Sequence, residues 1–225
     1  MGIFQIIKED LSQPKAQDPA YRSCVDLIFN YPGVWAVANH RFIHTLWNKK
    51  WYKLARMLAG ISNFLTRVDL HPAAVLGRRV FIDHATGIVI GETTIIGDDC
   101  LIYQGVTLGG VSLDKGKRHP TLENGVVVGA GAKILGNITI GAGSKIGANS
   151  VVVKDVPPHS TAVGIPAKCI SSDNRPFEHN KLPDITKELL IYLIDRIESL
   201  GCQGSDKIIL DKKYQERSEE HTSEL

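Results

Sequence analysis

A chain of 225 residues with 43% hydrophobic content is long enough to bury the core of one or two domains. Its formal net charge of +2, with lysine and arginine dispersed rather than gathered into an arm or stripe, argues against a nucleic-acid partner. No run reaches the roughly 20 apolar residues of a membrane span, and the first ten residues lack the apolar core and cleavage site of a signal peptide, so a cytoplasmic protein is expected.

Residues 1–68 read as a helical domain. Asp18-Pro19 has the form of a helix start, with Asp as cap and Pro in the first turn. Pro32-Gly33 interrupts the pattern, after which Val34, Ala38, Phe42 and Leu46 recur at four-residue spacing. Another helix is marked by Trp51, Leu54, Leu58, Ile61 and Leu65, in threes and fours along one face. These helices are expected to cover the open strand edge of the next domain.

From residue 69 the period changes. Leu122, Val128, Ile134, Ile140, Ile146 and Val152 recur every six positions, three of them followed by glycine at Gly129, Gly141 and Gly147. Small residues return four positions on, at Ala132, Ser144 and Ser150. A period of six suits neither a helix nor an alternating strand, so the repeat is itself the structural unit, a hexapeptide coil of a parallel β-helix. Each unit supplies a short strand and a tight corner, and buries its apolar residue by stacking on the next coil. The ladder extends upstream through Leu76, Ile82 and Ile88 and, after a two-residue slip, through Ile90, Ile96, Ile102 and Leu108. Residues 109–121 interrupt it with a polar, glycine-flanked stretch that should leave the prism as a loop, where chemistry tends to sit.

Prolines 157, 158 and 166 are expected to end the prism. A last helix is predicted over 184–200, with Gly201 as its stop, and a charged, mobile tail over 204–225. Cys24, Cys100, Cys169 and Cys202 show no paired spacing, so no zinc knuckle or redox motif is indicated, and Cys100 reads as a core residue. His40 and His44 are four apart, a spacing that can hold a metal, but no third ligand is nearby in the sequence. His71 reads as a residue shaping the turn before Pro72.

The functional signal is a local departure from the repeat. Asp83-His84-Ala85-Thr86-Gly87 places ionisable residues where other coils have Ala, Thr and Gly. Together with Val68-Asp69-Leu70-His71-Pro72-Ala73-Ala74, Val106-Thr107-Leu108-Gly109-Gly110, Arg118-His119-Pro120 and Gly129-Ala130-Gly131-Ala132-Lys133-Ile134-Leu135-Gly136-Asn137, in that order and spacing, it resembles the serine O-acetyltransferase family over roughly residues 18–170.

The resemblance implies a mainly β fold, a left-handed parallel β-helix with an N-terminal α-helical domain and a short C-terminal helix. Its expected divisions are 1–68, 69–170 with the protruding loop 109–121, and 171–225. The implied reaction moves acetyl from acetyl-CoA to the hydroxyl of L-serine. His84 matches the family's general base and Asp69 the aspartate that orients it; fifteen residues separate them, close to the eighteen of one coil, so stacking is expected to bring them near each other. Asp18 and Asp83 match the ammonium side of the substrate site, and Arg118 and His119 match the carboxylate side and the family's second active-site histidine. Ala130 and Lys145 match positions that contact acetyl-CoA, and no metal is expected. Direct transfer without an acyl-enzyme, a homotrimer with active sites between subunits, and feedback inhibition by L-cysteine are further implications.

The short helical segment before Asp18 leaves open whether two trimers join. The ending Ser223-Glu224-Leu225 departs from the isoleucine with which family members enter O-acetylserine sulfhydrylase, so that complex is not predicted. Rival readings are a zinc lyase of the carbonic-anhydrase type using His71, His84 and His119, transfer to another acceptor such as a sugar, and a trimer without activity. Asp18, Asp83 and Arg118 together favour a small zwitterion as acceptor.

Overall fold

The computed structural model describes residues 2–170 and 190–194. The chain divides into two compact units, Met1–Asn180 and Lys181–Leu225. In the second, 190–194 are helical, while the rest of the predicted 184–200 helix and the 204–225 tail lie outside the described residues. The first unit holds the helical domain and the strands that build the candidate site. Among the described residues no helix is long and apolar enough to cross a membrane.

Five helices come first: α1 (Ile3–Leu11), α2 (Gln13–Gln17), α3 (Cys24–Phe29), α4 (Pro32–Asn48) and α5 (Tyr52–Thr66). Asp18 does not start a helix, as its Asp-Pro sequence suggests; it closes α2, in an extended conformation. A residue before proline is pushed out of the helical region, and the Asp18 carboxylate turns instead to the Ala20 N–H at 2.7 Å. The next helix, α3, starts at a capping box between Ser23 and Asp26. Helix α4 begins on Pro32, and Gly33 lies so close to the first coil that a Cβ there would stand 2.2 Å from the Ile82 carbonyl oxygen.

Its buried face runs through Val34, Val37, His40 and Ile43, so Phe42 and Leu46, expected on that face, are exposed and half-buried instead. On α5 only Ala55 and Thr66 are buried, and Ile61, Phe64 and Leu65 form an apolar stripe facing outward. Ala36 and Val37 join the core beneath Val68 and Leu70, which covers the first coil as expected. A buried ion pair fastens this cover: Arg41 grips Asp10 at 3.0 and 3.2 Å and also donates to the carbonyls of Leu76 and Gly77.

The left-handed parallel β-helix then winds in coils of three strands. The first holds β1 (Val68–Leu70), β2 (Val75–Leu76) and β3 (Phe81–Ile82); the second, β4 (Ile88–Ile90), β5 (Ile95–Ile96) and β6 (Leu101–Ile102). The third holds β7 (Thr107–Gly109), β8 (Thr121–Leu122) and β9 (Val127–Val128); the fourth, β10 (Lys133–Leu135), β11 (Thr139–Ile140) and β12 (Lys145–Ile146). The strands stack into three faces, β1-β4-β7-β10-β13, β2-β5-β8-β11 and β3-β6-β9-β12-β14-β15, with β13 (Val151–Val152), β14 (Thr161–Gly164) and β15 (Ala167–Ile170) closing the end. Predicted ladder residues meet in register: Ile82, Ile102, Val128 and Ile146 on one face, Ile90, Leu108, Ile134 and Val152 on another. All eight are essentially fully buried, each worth about 1.5–3 kcal/mol of transfer free energy. Cys100 is buried among them.

The prolines do not end the prism outright. After Pro157 and Pro158 the chain adds β14 parallel to β12, and β15 then folds back antiparallel to seal the edge. The two-residue slip has a definite location. Leu70 pairs with Ile90, twenty residues on, whereas Ile90 pairs with Leu108, eighteen on. The two additional residues fall in the turn 83–87, where His84 and Ala85 both adopt left-handed backbone, each at φ 59°.

Candidate active site

The corners between faces form edges running the length of the prism. One edge, between the third and first faces, carries the turn 83–87. Asp83 Oδ1 accepts the His84 N–H at 2.9 Å, which holds the turn in its left-handed form. The His84 side chain is 69% exposed and that of Asp83 only 15%, with Nε2 of the imidazole 3.7 Å from Asp83 Oδ2. Burial pushes the Asp83 carboxyl above the usual carboxylate range; His84 works against that and Asp18 adds to it.

Asp18 reaches the same edge from α2. Its Oδ2 accepts from the Tyr31 hydroxyl at 2.6 Å, and this bond, with that from the Ala20 N–H, holds its carboxyl below the usual range. Tyr31 is buried against Tyr21 and Phe81, so its position is set by packing. Two carboxylates of unequal basicity therefore flank an exposed imidazole. That arrangement suits an ammonium ligand with a proton acceptor beside it.

Sequence reasoning missed Tyr31 and Tyr103, the second of which feels the charges of both Asp83 and Asp18. Tyr103 had a readable signal, because it follows Ile102 as Asp83 follows Ile82, and those isoleucines are register partners. Tyr31 had none.

Asp69 lies on β1 with its side chain exposed, and Val89, not His84, stands opposite it. This coil has twenty residues and not eighteen, so the fifteen that separate Asp69 from His84 fall five short of a full turn. No hydrogen bond joins Asp69 to His84 among the described residues, and the Asp69 charge is felt at His71.

A second edge, between the first and second faces, carries Arg118 and His119. The loop between β7 and β8 leaves the prism as expected and then folds back onto the turn after β4. Arg118 Nη2 donates to Glu92 Oε2 at 2.6 Å, a bond that lowers the Glu92 carboxyl. His119 is buried; its Nδ1 accepts the Thr93 N–H at 3.2 Å and stands 2.9 Å from Thr93 Oγ1. Burial lowers the His119 imidazole, as it does the Lys117 ammonium, which donates to the carbonyls of Thr93, His119 and Pro120. Glu92, Thr93 and Lys117 also escaped the sequence reading.

The structure therefore brings Asp18, Asp83 and His84 together on one edge and Arg118 and His119 on another. Between them lies the width of the first face, about 10 Å for a three-residue strand such as β4. Ala130 sits on the first edge two coils beyond His84, about 10 Å at the usual strand spacing, and Lys145 begins β12 a further coil along the third face. Gly87, Gly105 and Gly131, all at positive φ, form a column there without Cβ atoms. Beside Ala130, Gln104 offers a buried side-chain carbonyl with no hydrogen-bond partner among the described residues. An acyl carrier with amide N–H groups fits such a column.

His40 and His44 each engage a backbone carbonyl of the segment before β2. Their rings stack 5.4 Å apart, with His40 Nε2 against the His71 carbonyl and His44 Nδ1 against the Pro72 carbonyl.

The chain is similar to known proteins over most of its length. The family model described as bacterial transferase hexapeptide (six repeats) matches residues 119–154. Serine acetyltransferase of Bacillus pumilus is 50% identical over 185 residues, covering 80% of this chain and 85% of that one. The crystal structure of Neisseria gonorrhoeae serine acetyltransferase in complex with serine is similar at a TM-score of 0.72 and 44% identity, over 75% of this chain and 69% of that one. A serine acetyltransferase in complex with cysteine is similar at a TM-score of 0.73 and 44% identity, over 76% and 66%.

Proposed function

The chain belongs to the serine acetyltransferase family, and from that membership we propose that it transfers the acetyl group of acetyl-CoA to the hydroxyl of L-serine, giving O-acetyl-L-serine and CoA for cysteine synthesis. The observation that carries the reading is the edge where Asp18 and Asp83 flank the exposed imidazole of His84. Asp18 and Asp83 hold the serine ammonium, and Arg118 and His119 its carboxylate side.

His84 takes the proton of the serine hydroxyl as that oxygen attacks the thioester carbonyl carbon. When the tetrahedral intermediate collapses the C–S bond breaks, and the imidazolium returns its proton to the departing sulfur. Transfer is direct, with no acyl-enzyme. At 3.7 Å from Asp83 the ring is beyond hydrogen-bonding distance of that carboxylate, and Asp69 orients it during the reaction. Acetyl-CoA lies along the glycine column, with Ala130 beside its pantetheine arm and Lys145 toward its charged end.

Because the two edges are separated within one chain, a whole site needs a second subunit, the His84 edge of one chain meeting the Arg118 edge of its neighbour. A homotrimer in which each chain meets a neighbour on either side satisfies that requirement. The outward stripe of Ile61, Phe64 and Leu65 on α5 supplies apolar surface for further association. L-cysteine carries the same ammonium and carboxylate as serine, so it occupies this site as a feedback inhibitor. We place the reaction in the cytoplasm.

The test is thiol release from acetyl-CoA with L-serine, L-homoserine, L-threonine and simple sugars as acceptors. Serine-dependent release, reduced about a hundredfold or more by His84→Ala, is expected. Release with a sugar and not with serine, or none with any acceptor from folded trimer, would overturn the reading.

A further inference from the structure

We propose that Thr93 is a positioning residue of this active site, which holds His119 in the tautomer that presents a hydrogen-bond donor, Nε2–H, to an anionic oxygen of the substrate. The proposal rests on the reading of His119 as a substrate-facing group.

Hydrogen-bonding capacity decides the tautomer. A threonine hydroxyl has one O–H to donate and two lone pairs to accept with. Thr93 Oγ1 accepts the backbone N–H of Arg118 and that of His119, both at 3.1 Å, which uses its lone pairs. Its own hydrogen then has one remaining partner, His119 Nδ1 at 2.9 Å. The same Nδ1 also accepts the Thr93 N–H at 3.2 Å. A nitrogen that accepts two hydrogen bonds carries no proton, so a neutral imidazole must carry its proton on Nε2.

The surroundings keep the ring neutral and seat it closely against the turn. Burial, Arg118 and Lys117 disfavour the imidazolium and together outweigh Glu92, which favours it. A Cβ on Gly91 would sit 2.0 Å from Nε2 and one on Gly110 3.2 Å from it, so the two glycines make room for the ring itself. Lys117 ties the loop to the Thr93 carbonyl at 2.7 Å, and Glu92, the preceding residue, pairs with Arg118. One short turn thus fixes both Arg118 and His119 in relation to each other. His119 is on this account a donor and not a second general base.

The tautomer can be read in the unmutated protein by nitrogen NMR on histidine-labelled, deuterated sample, with the His119 signals assigned through His119→Asn. An unprotonated Nδ1 and a protonated Nε2 at neutral pH are expected. Thr93→Val keeps the shape and removes the hydroxyl; it should yield a mixture of tautomers and lower kcat about tenfold or more, on the usual cost of one misplaced donor. Thr93→Ser should restore both. A protonated Nδ1 in the native protein, or a Thr93→Val enzyme with native tautomer and native kcat, would overturn the role of Thr93. His119→Asn acetylating serine at the native rate would instead overturn the substrate-facing reading of His119.

Discussion

The hydroxyl of Tyr31 donates to Oδ2 of Asp18 at 2.6 Å, joining the segment between α3 and α4 to the edge that carries His84. Two elements that precede the β-helix thereby supply a carboxylate to a site built on it. Tyr31→Phe keeps the ring that packs on Phe81 and loses only this bond. The Asp18 carboxyl should then rise toward the ordinary range, and the KM for serine should increase about tenfold with kcat little changed, as expected for one hydrogen bond to a charged group. Steady-state kinetics would measure it.

Asp83 holds a carboxylate where burial disfavours charge. Its folded-state pKa lies above the unfolded value, so its ionisation opposes folding as pH rises through that pKa. Asp83→Asn keeps an oxygen to accept the His84 N–H and removes the charge. We expect the melting temperature at neutral pH to rise by about 2 °C, on the usual few degrees per kcal/mol, while serine affinity falls. A fall in both would contradict this trade-off.

Acid sensitivity should come from buried histidines. Burial pushes the His40 imidazole down to about 3 and also lowers His71 and His119. Their contribution to stability is complete above the unfolded value of about 6.5 and is lost as pH falls below it. Chemical unfolding followed from pH 7 downward should show stability declining, by at most about 1.4 kcal/mol per pH unit for each histidine. His40→Gln should flatten the slope.

Asp10 is fully buried and its partner Arg41 nearly so. Asp10→Ala leaves a guanidinium uncompensated beneath the helical cover, at a cost of about 3–5 kcal/mol. Denaturant unfolding should show that loss, whereas Glu9→Ala, which breaks a partly exposed pair with Arg78, should cost much less, because solvent screens that pair.

Gly91 has no room for a side chain, because the His119 ring occupies the space. Gly91→Ala should move that ring and lower kcat about tenfold or more with the oligomeric state unchanged, a small displacement at a reacting centre being enough. Size-exclusion chromatography beside the assay separates this from loss of assembly.

The ladder was legible because a narrow prism admits one apolar side chain per rung, and a chain that winds it must repeat that residue every six positions. The same logic exposed Asp83 and His84 as residues out of place, and made the loop after Leu108 visible as an interruption. Helix faces were less legible. Helix α4 buries Val37 and His40 because the first coil meets it there, and the spacing of Val34, Ala38, Phe42 and Leu46 contains nothing about that contact.

The candidate site divides along the same line. Motif order in the sequence determined which residue types are present: a base, carboxylates and a guanidinium. Register decided their grouping. Two additional residues in the turn 83–87 lengthen the first coil to twenty, so that Val89 stands opposite Asp69, and the corner geometry sent Arg118 and His119 to a different edge from Asp18 and Asp83. The bonds that hold these groups, Tyr31 to Asp18 across thirteen positions and Thr93 to His119 across twenty-six, follow no period. A repeat encodes what must be buried everywhere, so it can be read locally; a polar contact forms once, wherever packing brings two distant segments within about 3 Å, and only the folded chain determines where that is.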